Sequence, residues 1–141
     1  MSGLSGDKIL VTGALGQIGT ELVEALRKQH GVSSVIASDL RSVDQVGESE
    51  GPYLKLDVLN TDSIIEVCKN EGVGTVYHLA ALLSATGEKN PALCRKVNVA
   101  GTISVFEAAR QCSMRVFTPS SIAVFGPDAP KHDPQITDLN P

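Results

Sequence analysis

Residues 8–22 read Lys-Ile-Leu-Val-Thr-Gly-Ala-Leu-Gly-Gln-Ile-Gly-Thr-Glu-Leu, and no other stretch of the chain restricts its fold so strongly. Ile9, Leu10 and Val11 form a short apolar run rich in β-branched residues. Gly13, Gly16 and Gly19 follow at intervals of three, and Leu22, Val23 and Leu26 continue at helical spacing. The order is strand, glycine turn, helix. A helix begun directly after a buried strand points its unpaired N–H groups and the positive end of its dipole outward, where a pyrophosphate can sit. Gly13 permits the tight turn, Gly16 removes a Cβ that would hold a phosphate off, and Gly19 lets the helix lie close on the strand. Three spaced glycines alone would also describe a flexible loop; between a strand and an amphipathic helix they read as a dinucleotide-binding turn.

The rest of the chain bounds what that turn can belong to. At 141 residues there is room for one domain with a real core, but the chain is short for a complete dinucleotide enzyme, which needs a substrate-binding half as well. A net charge of −4 argues against a nucleic-acid surface. No apolar stretch approaches the roughly 18 residues of a membrane span. Residues 1–7 carry neither a signal core nor an Arg-rich transit pattern and are expected to be a disordered lead-in. The location expected of the chain as given is cytoplasmic, or mitochondrial if a eukaryotic parent has lost its transit peptide. Cys68, Cys94 and Cys112 are odd in number and widely spaced, so reduced, mostly buried thiols are expected and no metal site.

After a first helix expected over about Gln17–Gln29, Val35–Asp39 reads as a second buried strand ending on an acid. Asp39 lies 20 residues beyond Gly19, the separation expected of a carboxylate that accepts from the adenosine ribose hydroxyls. Its charge would repel the extra phosphate of NADP, which selects NAD, although Arg41 stands nearby. Ser42–Pro52 reads as a surface loop, and Tyr53–Val58 as a third strand that delivers Asp57 to the adenine edge or simply into a loop. Thr61, Asp62 and Ser63 can cap a helix running to Gly72. Val73–Leu79 is the fourth strand; His78 on it reads as a packed strand residue rather than a base. Asn90-Pro91 opens a long helix to about Cys112, within which Asn98 needs a specific partner or a view of solvent. Met114–Thr118 is the fifth strand, and Pro127–Pro141 reads as loop. Strands alternating with helices give an α/β, Rossmann-like, doubly wound parallel sheet of order 3-2-1-4-5 with right-handed crossovers, its domain spanning 8–126.

Thr12-Gly13-Ala14-Leu15-Gly16-Gln17-Ile18-Gly19 resembles the glycine loop of the extended short-chain dehydrogenase/reductase superfamily. Leu56-Asp57-Val58, His78-Leu79-Ala80-Ala81, Asn98-x-x-Gly101 and Pro119–Gly126 fall in that superfamily's order. Within it, the runs Ala80–Ala92, Ser120–Gly126 and Pro134–Thr137 are similar to those of the short-chain type of L-threonine 3-dehydrogenase. The resemblance implies NAD-dependent oxidation of the L-threonine hydroxyl to 2-amino-3-ketobutyrate. It implies that Gly13, Gly16, Gln17, Ile18 and Gly19 hold the pyrophosphate, Asp39 and Arg41 the ribose, and Leu56 and Asp57 the adenine side. Leu79, Ala80, Ala81 and Asn98 would line the cofactor pocket, Ser84 and Thr86 would lie near the substrate, and Ser121 would orient the hydroxyl being oxidised. It also implies a homodimer through the 91–112 helix.

One part of the pattern is missing. The superfamily's base is a tyrosine with a lysine four residues later, which lowers its pKa. The only tyrosines here are Tyr53 and Tyr77, followed four residues on by Asp57 and Ala81. The expectation is therefore a threonine-dehydrogenase cofactor half, truncated before its base and catalytically incompetent by itself. The alternatives are a non-catalytic NAD- or protein-binding module and a fragment of a nucleotide-sugar epimerase or dehydratase.

Overall fold

The computed structural model describes residues 8–46 and 50–121. The expected lead-in over 1–7, the loop over 127–141 and the end of the serine run beyond Ser121 lie outside the described residues.

Strands β1 (Lys8–Thr12), β2 (Val35–Asp39), β3 (Tyr53–Lys55), β4 (Val73–His78) and β5 (Arg115–Phe117) form one parallel sheet in the order β3-β2-β1-β4-β5, as expected. β1 and β2 are near-continuous apolar runs because helices cover both faces of the sheet. One core holds Val11, Ala14, Val23, Leu26, Val35 and Ala37 beneath helix α1 (Gln17–His30). The other holds Leu10, Ile36, Ile64, Val76, Val105 and Ala108 beneath helices α3 (Thr61–Glu71) and α6 (Gly101–Cys112). Burying the valine, leucine and isoleucine side chains among these stabilises the fold by about 1.5–3 kcal/mol each. Cys68 and Cys112 belong to the second core, and burial, with Cys112 adding to it, pushes the Cys68 thiol up to about 12.

Several boundaries differ from expectation, each for a local reason. Ser42–Pro52 is not all loop: a short helix, α2 (Val43–Val46), forms where the Ser42 N–H donates to Gln45 Oε1 at 2.9 Å. The third strand stops at Lys55 because Asp57 turns the chain, its carboxylate accepting from the Leu59 N–H at 2.9 Å and its carbonyl from Asn60 N–H at 3.0 Å. The cap of α3 is Asn60, accepting from the Ser63 N–H at 3.1 Å, rather than a residue of 61–63. β4 ends at His78, and the small-residue run after it contains a helix, α4 (Ser84–Lys89). The long helix is capped by Asn90 as expected, but it is α5 (Pro91–Arg95), a π-helical turn (Lys96–Ala100) and α6 in succession.

Candidate functional site

The strand order brings the carboxyl ends of β1, β2 and β4 together, and the glycine turn leaves the end of the central one. Gly13 sits at φ +68, a conformation that favours glycine, and a Cβ there would fall 2.6 Å from the Ala80 amide nitrogen. At Gly19 a Cβ would fall 2.3 Å from the Gly13 carbonyl oxygen. These two glycines therefore serve chain packing: Gly13 seats the turn on the Leu79–Ala80 backbone and Gly19 seats α1 on the turn. Gly16 differs. Its Cβ position meets only the Gly13 oxygen, at 3.3 Å, and Gly16, Gln17 and Ile18 are all exposed. Gly16 supplies no side-chain cap and the first turn of α1 carries no acid, so its N–H groups open outward, an arrangement suited to a phosphate.

Asp39, at the end of β2, reaches the same turn. Its Oδ2 accepts from the Leu15 N–H at 3.4 Å, and its Oδ1 faces the Arg41 Nε at 3.4 Å. Arg41 also donates to the Leu15 carbonyl at 3.3 Å, so the carboxylate and guanidinium bracket the rim of the turn. Tyr53 donates its hydroxyl to the Arg41 carbonyl at 2.7 Å; burial, then the nearby Asp39 charge, raises its pKa. The other tyrosine, Tyr77, tilts against Phe117 with ring centroids 5.6 Å apart.

Of the remaining sequence-derived candidates, Leu56 buries its side chain in the core and presents only backbone, its N–H donating to Asp39 O at 2.9 Å. Asp57 is exposed beside it. Leu79 and Ala80 are half-buried against the glycine turn, and Ala81 is exposed. Asn98 has a specific partner: its Oδ1 accepts from the Leu82 N–H at 2.7 Å, and its Nδ2 donates to the Leu82 carbonyl at 3.0 Å. This two-bonded clasp fixes the segment leading to Ser84 and Thr86, both exposed on α4. A shallow hollow of about 480 Å³ lies between α4 and the helix below, lined by Ser84, Gly87, Cys94 and Asn98 among others. Ser121 lies beyond β5 and is exposed.

Sequence reasoning did not find the polar line beneath the turn. Thr12 Oγ1 lies 2.8 Å from His78 Nδ1, and His78 Nε2 lies 3.2 Å from Thr102 Oγ1. His78 is buried as expected, and that burial lowers its pKa. The sequence signal for it was weak: a threonine at the end of β1, a histidine at the end of β4, and a threonine four residues after the helical asparagine. Among the described residues no three His, Cys, Asp or Glu side chains gather as metal ligands would, and no helix is long and apolar enough to cross a membrane.

Comparison with known proteins places this geometry. The model of the NAD dependent epimerase/dehydratase family matches residues 9–141. An uncharacterized epimerase/dehydratase of Staphylococcus haemolyticus (strain JCSC1435) is 44% identical over 137 residues, covering 96% of this chain and 43% of that protein. Among solved structures, a monomeric L-threonine 3-dehydrogenase from a metagenome database, in its apo form, is 48% identical with a TM-score of 0.85, over 94% of this chain and 42% of that one. The L-threonine dehydrogenase of Clostridium difficile is 44% identical with a TM-score of 0.86, over 96% and 43%. The chain thus spans about two fifths of the length of the relatives it matches.

Proposed function

Because the chain belongs to the NAD-dependent epimerase/dehydratase family, we propose that it is the NAD-binding portion of an L-threonine 3-dehydrogenase. The observation that carries the reading is the likeness, along nearly the whole chain, to two solved L-threonine dehydrogenases. The open first turn of α1 beside an acid at the end of β2 supports the cofactor half of it. Gly13, Gly16, Gln17, Ile18 and Gly19 form the pyrophosphate cradle, with the backbone N–H groups of Gln17 and Ile18 as donors. Asp39 accepts from the ribose hydroxyls, with Arg41 beside it, and its charge disfavours a 2′-phosphate. The Leu56 backbone and Asp57 flank the adenine. Leu79, Ala80 and Ala81 form the wall towards the nicotinamide, and the Asn98 clasp holds that wall in place. Ser84 and Thr86 face the substrate, and Ser121 donates to its oxygen.

NAD, when bound, accepts a hydride from the substrate carbon. A base must remove the hydroxyl proton as that hydride leaves. Tyr53 is unsuited, its proton held on the Arg41 carbonyl and its pKa moved up, and no lysine follows either tyrosine at the fourth place. We therefore expect this chain by itself to produce no NADH from L-threonine above background.

Calorimetry tests the cofactor half: NAD should bind the chain, and Asp39→Ala should weaken it by roughly tenfold while narrowing the preference over NADP, as loss of a charge-assisted bidentate contact would. No heat with millimolar NAD would remove the reading. For the substrate, the whole protein should oxidise L-threonine. A nucleotide-sugar epimerase is the second reading, favoured by the description of the staphylococcal relative; epimerisation of a UDP-sugar by the whole protein, with no turnover of L-threonine, would establish it. The homodimer remains a proposal on one feature, the exposed stripe of Val99, Ile103 and Phe106 along the helix.

A further inference from the structure

Beneath the glycine turn, polar groups from three parts of the chain are joined in one line, with Thr12 and His78 buried and Ala80, Thr102 and Asn98 half-buried. The Ala80 N–H donates to Thr12 Oγ1 at 3.4 Å, Thr12 Oγ1 meets His78 Nδ1 at 2.8 Å, and His78 Nε2 meets Thr102 Oγ1 at 3.2 Å. The Thr102 hydroxyl donates to the Asn98 carbonyl at 2.8 Å. Asn98 in turn clasps the Leu82 backbone. Thr12 is 1% exposed and His78 3%, so water cannot substitute for a lost partner at low cost.

The direction of every bond follows from donor counting. The Asn98 carbonyl can only accept, so the single Thr102 hydroxyl proton is committed to it, and Thr102 Oγ1 must accept from His78. His78 therefore carries its proton on Nε2. Its Nδ1 is then bare and accepts from the Thr12 hydroxyl, which leaves the Thr12 oxygen to accept from Ala80. The opposite tautomer would set two oxygens 2.8 Å apart with no proton between them. An imidazolium would press a second donor onto Thr12, which has no other acceptor on the line.

We propose that His78 is a positioning residue that, as the neutral Nε2–H tautomer, couples the glycine turn to the segment carrying Ser84 and Thr86. One end of the line is Thr12, adjacent to Gly13. The other is Asn98, whose clasp on Leu82 sets where α4 starts. A shift of the turn on ligand binding is thereby passed to the substrate side through these hydrogen bonds and through Asn98 itself, whose backbone carbonyl holds Thr102 and whose side chain holds Leu82. The assignment of the turn to NAD rests on the reading above; the coupling itself does not.

Three measurements on the ¹⁵N-labelled chain test it. Long-range proton–nitrogen correlation at neutral pH should show His78 protonated at Nε2 and bare at Nδ1; an Nδ1–H ring or an imidazolium overturns the proposal, whatever any variant does. Amide exchange should be roughly tenfold faster at both Ala80 and Leu82 in Thr102→Val, as expected for one lost hydrogen bond. The Ile36 amide should be unchanged, and Thr102→Ser should restore both rates. Release of Leu82 alone, or a uniform acceleration that includes Ile36, overturns it. Finally, millimolar NAD should slow exchange at Ala80 and Leu82 in the unaltered chain and at Ala80 alone in Thr102→Val. Equal slowing of Leu82 in both overturns the coupling, whereas no slowing anywhere in the unaltered chain overturns the NAD assignment and leaves the ring and exchange results to decide the coupling.

Discussion

Gly13 and Gly72 share almost the same backbone angle, φ +68 and +69, yet their surroundings differ. A Cβ at Gly72 meets nothing within 4 Å, whereas one at Gly13 meets the Ala80 and Leu79 backbone at 2.6–2.8 Å. Gly72→Ala should therefore cost only the left-handed strain, about 1 kcal/mol. Gly13→Ala should cost about 2–4 kcal/mol, because backbone must also move. Urea midpoints of the two variants measure the difference, and equal midpoints would mean the turn is not seated on Leu79–Ala80. His78 gives a second expectation at this scale. Burial lowers its pKa from 6.5 in the folded state. Above pH 6.5 both states are neutral and the ring adds no slope. Below it the unfolded chain takes up a proton that the folded one refuses, so stability falls with pH, by at most ~1.4 kcal/mol per unit, until the folded ring itself titrates. Melting temperatures between about pH 7 and about pH 5 should show that slope, and His78→Asn should flatten it.

At the scale of the element, α3 shows how far the sequence carries. Its core residue Ile64 and its terminal Gly72 were legible from spacing, but Asn60, Thr61, Asp62 and Ser63 are all capping types in a row. Packing of Ile64 fixes the phase, and that selects Asn60. Asn60→Ala should cost about 1 kcal/mol, and Asp62→Ala much less; thermal melts of the two variants distinguish them. The sheet order was readable because alternating strands and helices admit few parallel topologies. That an acid, Asp39, would end β2 beside the glycine turn was readable because its distance from Gly19 is set by one helix and one strand. The Thr12–His78–Thr102 line was not, since it joins residues 66 and 24 positions apart whose identities are common in strands and helices. Nor was the π-helical turn, because one added residue barely alters an apolar pattern as broad as that of 91–112.

For the molecule as a whole, several large apolar side chains of the described residues stand in solvent, Ile18, Leu40 and Val43 among them, and one group of them lines a single helix. Val99, Ile103 and Phe106 form a stripe along the helix, and Leu83 and Phe117 are also more than half exposed. Patches of this kind promote association in water. Sedimentation should show concentration-dependent self-association of the chain that Ile103→Glu with Phe106→Glu abolishes. A single monomeric species at high concentration, as the metagenomic relative's description would suggest for it, would count against the homodimer.

The π-helical turn at Lys96–Ala100 also acts as a crank within the helix. Each residue of a helix advances the side-chain direction by about 100°, so an extra residue re-aims everything after it. Before the turn and at its middle, the helix is oriented by Cys94 and Asn98 facing the Leu82 backbone; after it, by Val105, Ala108, Ala109 and Cys112 entering the core. Straightened into a continuous α-helix, it could satisfy one of those demands and would turn the other away, so the length of this segment is fixed to the residue even though its sequence looks permissive.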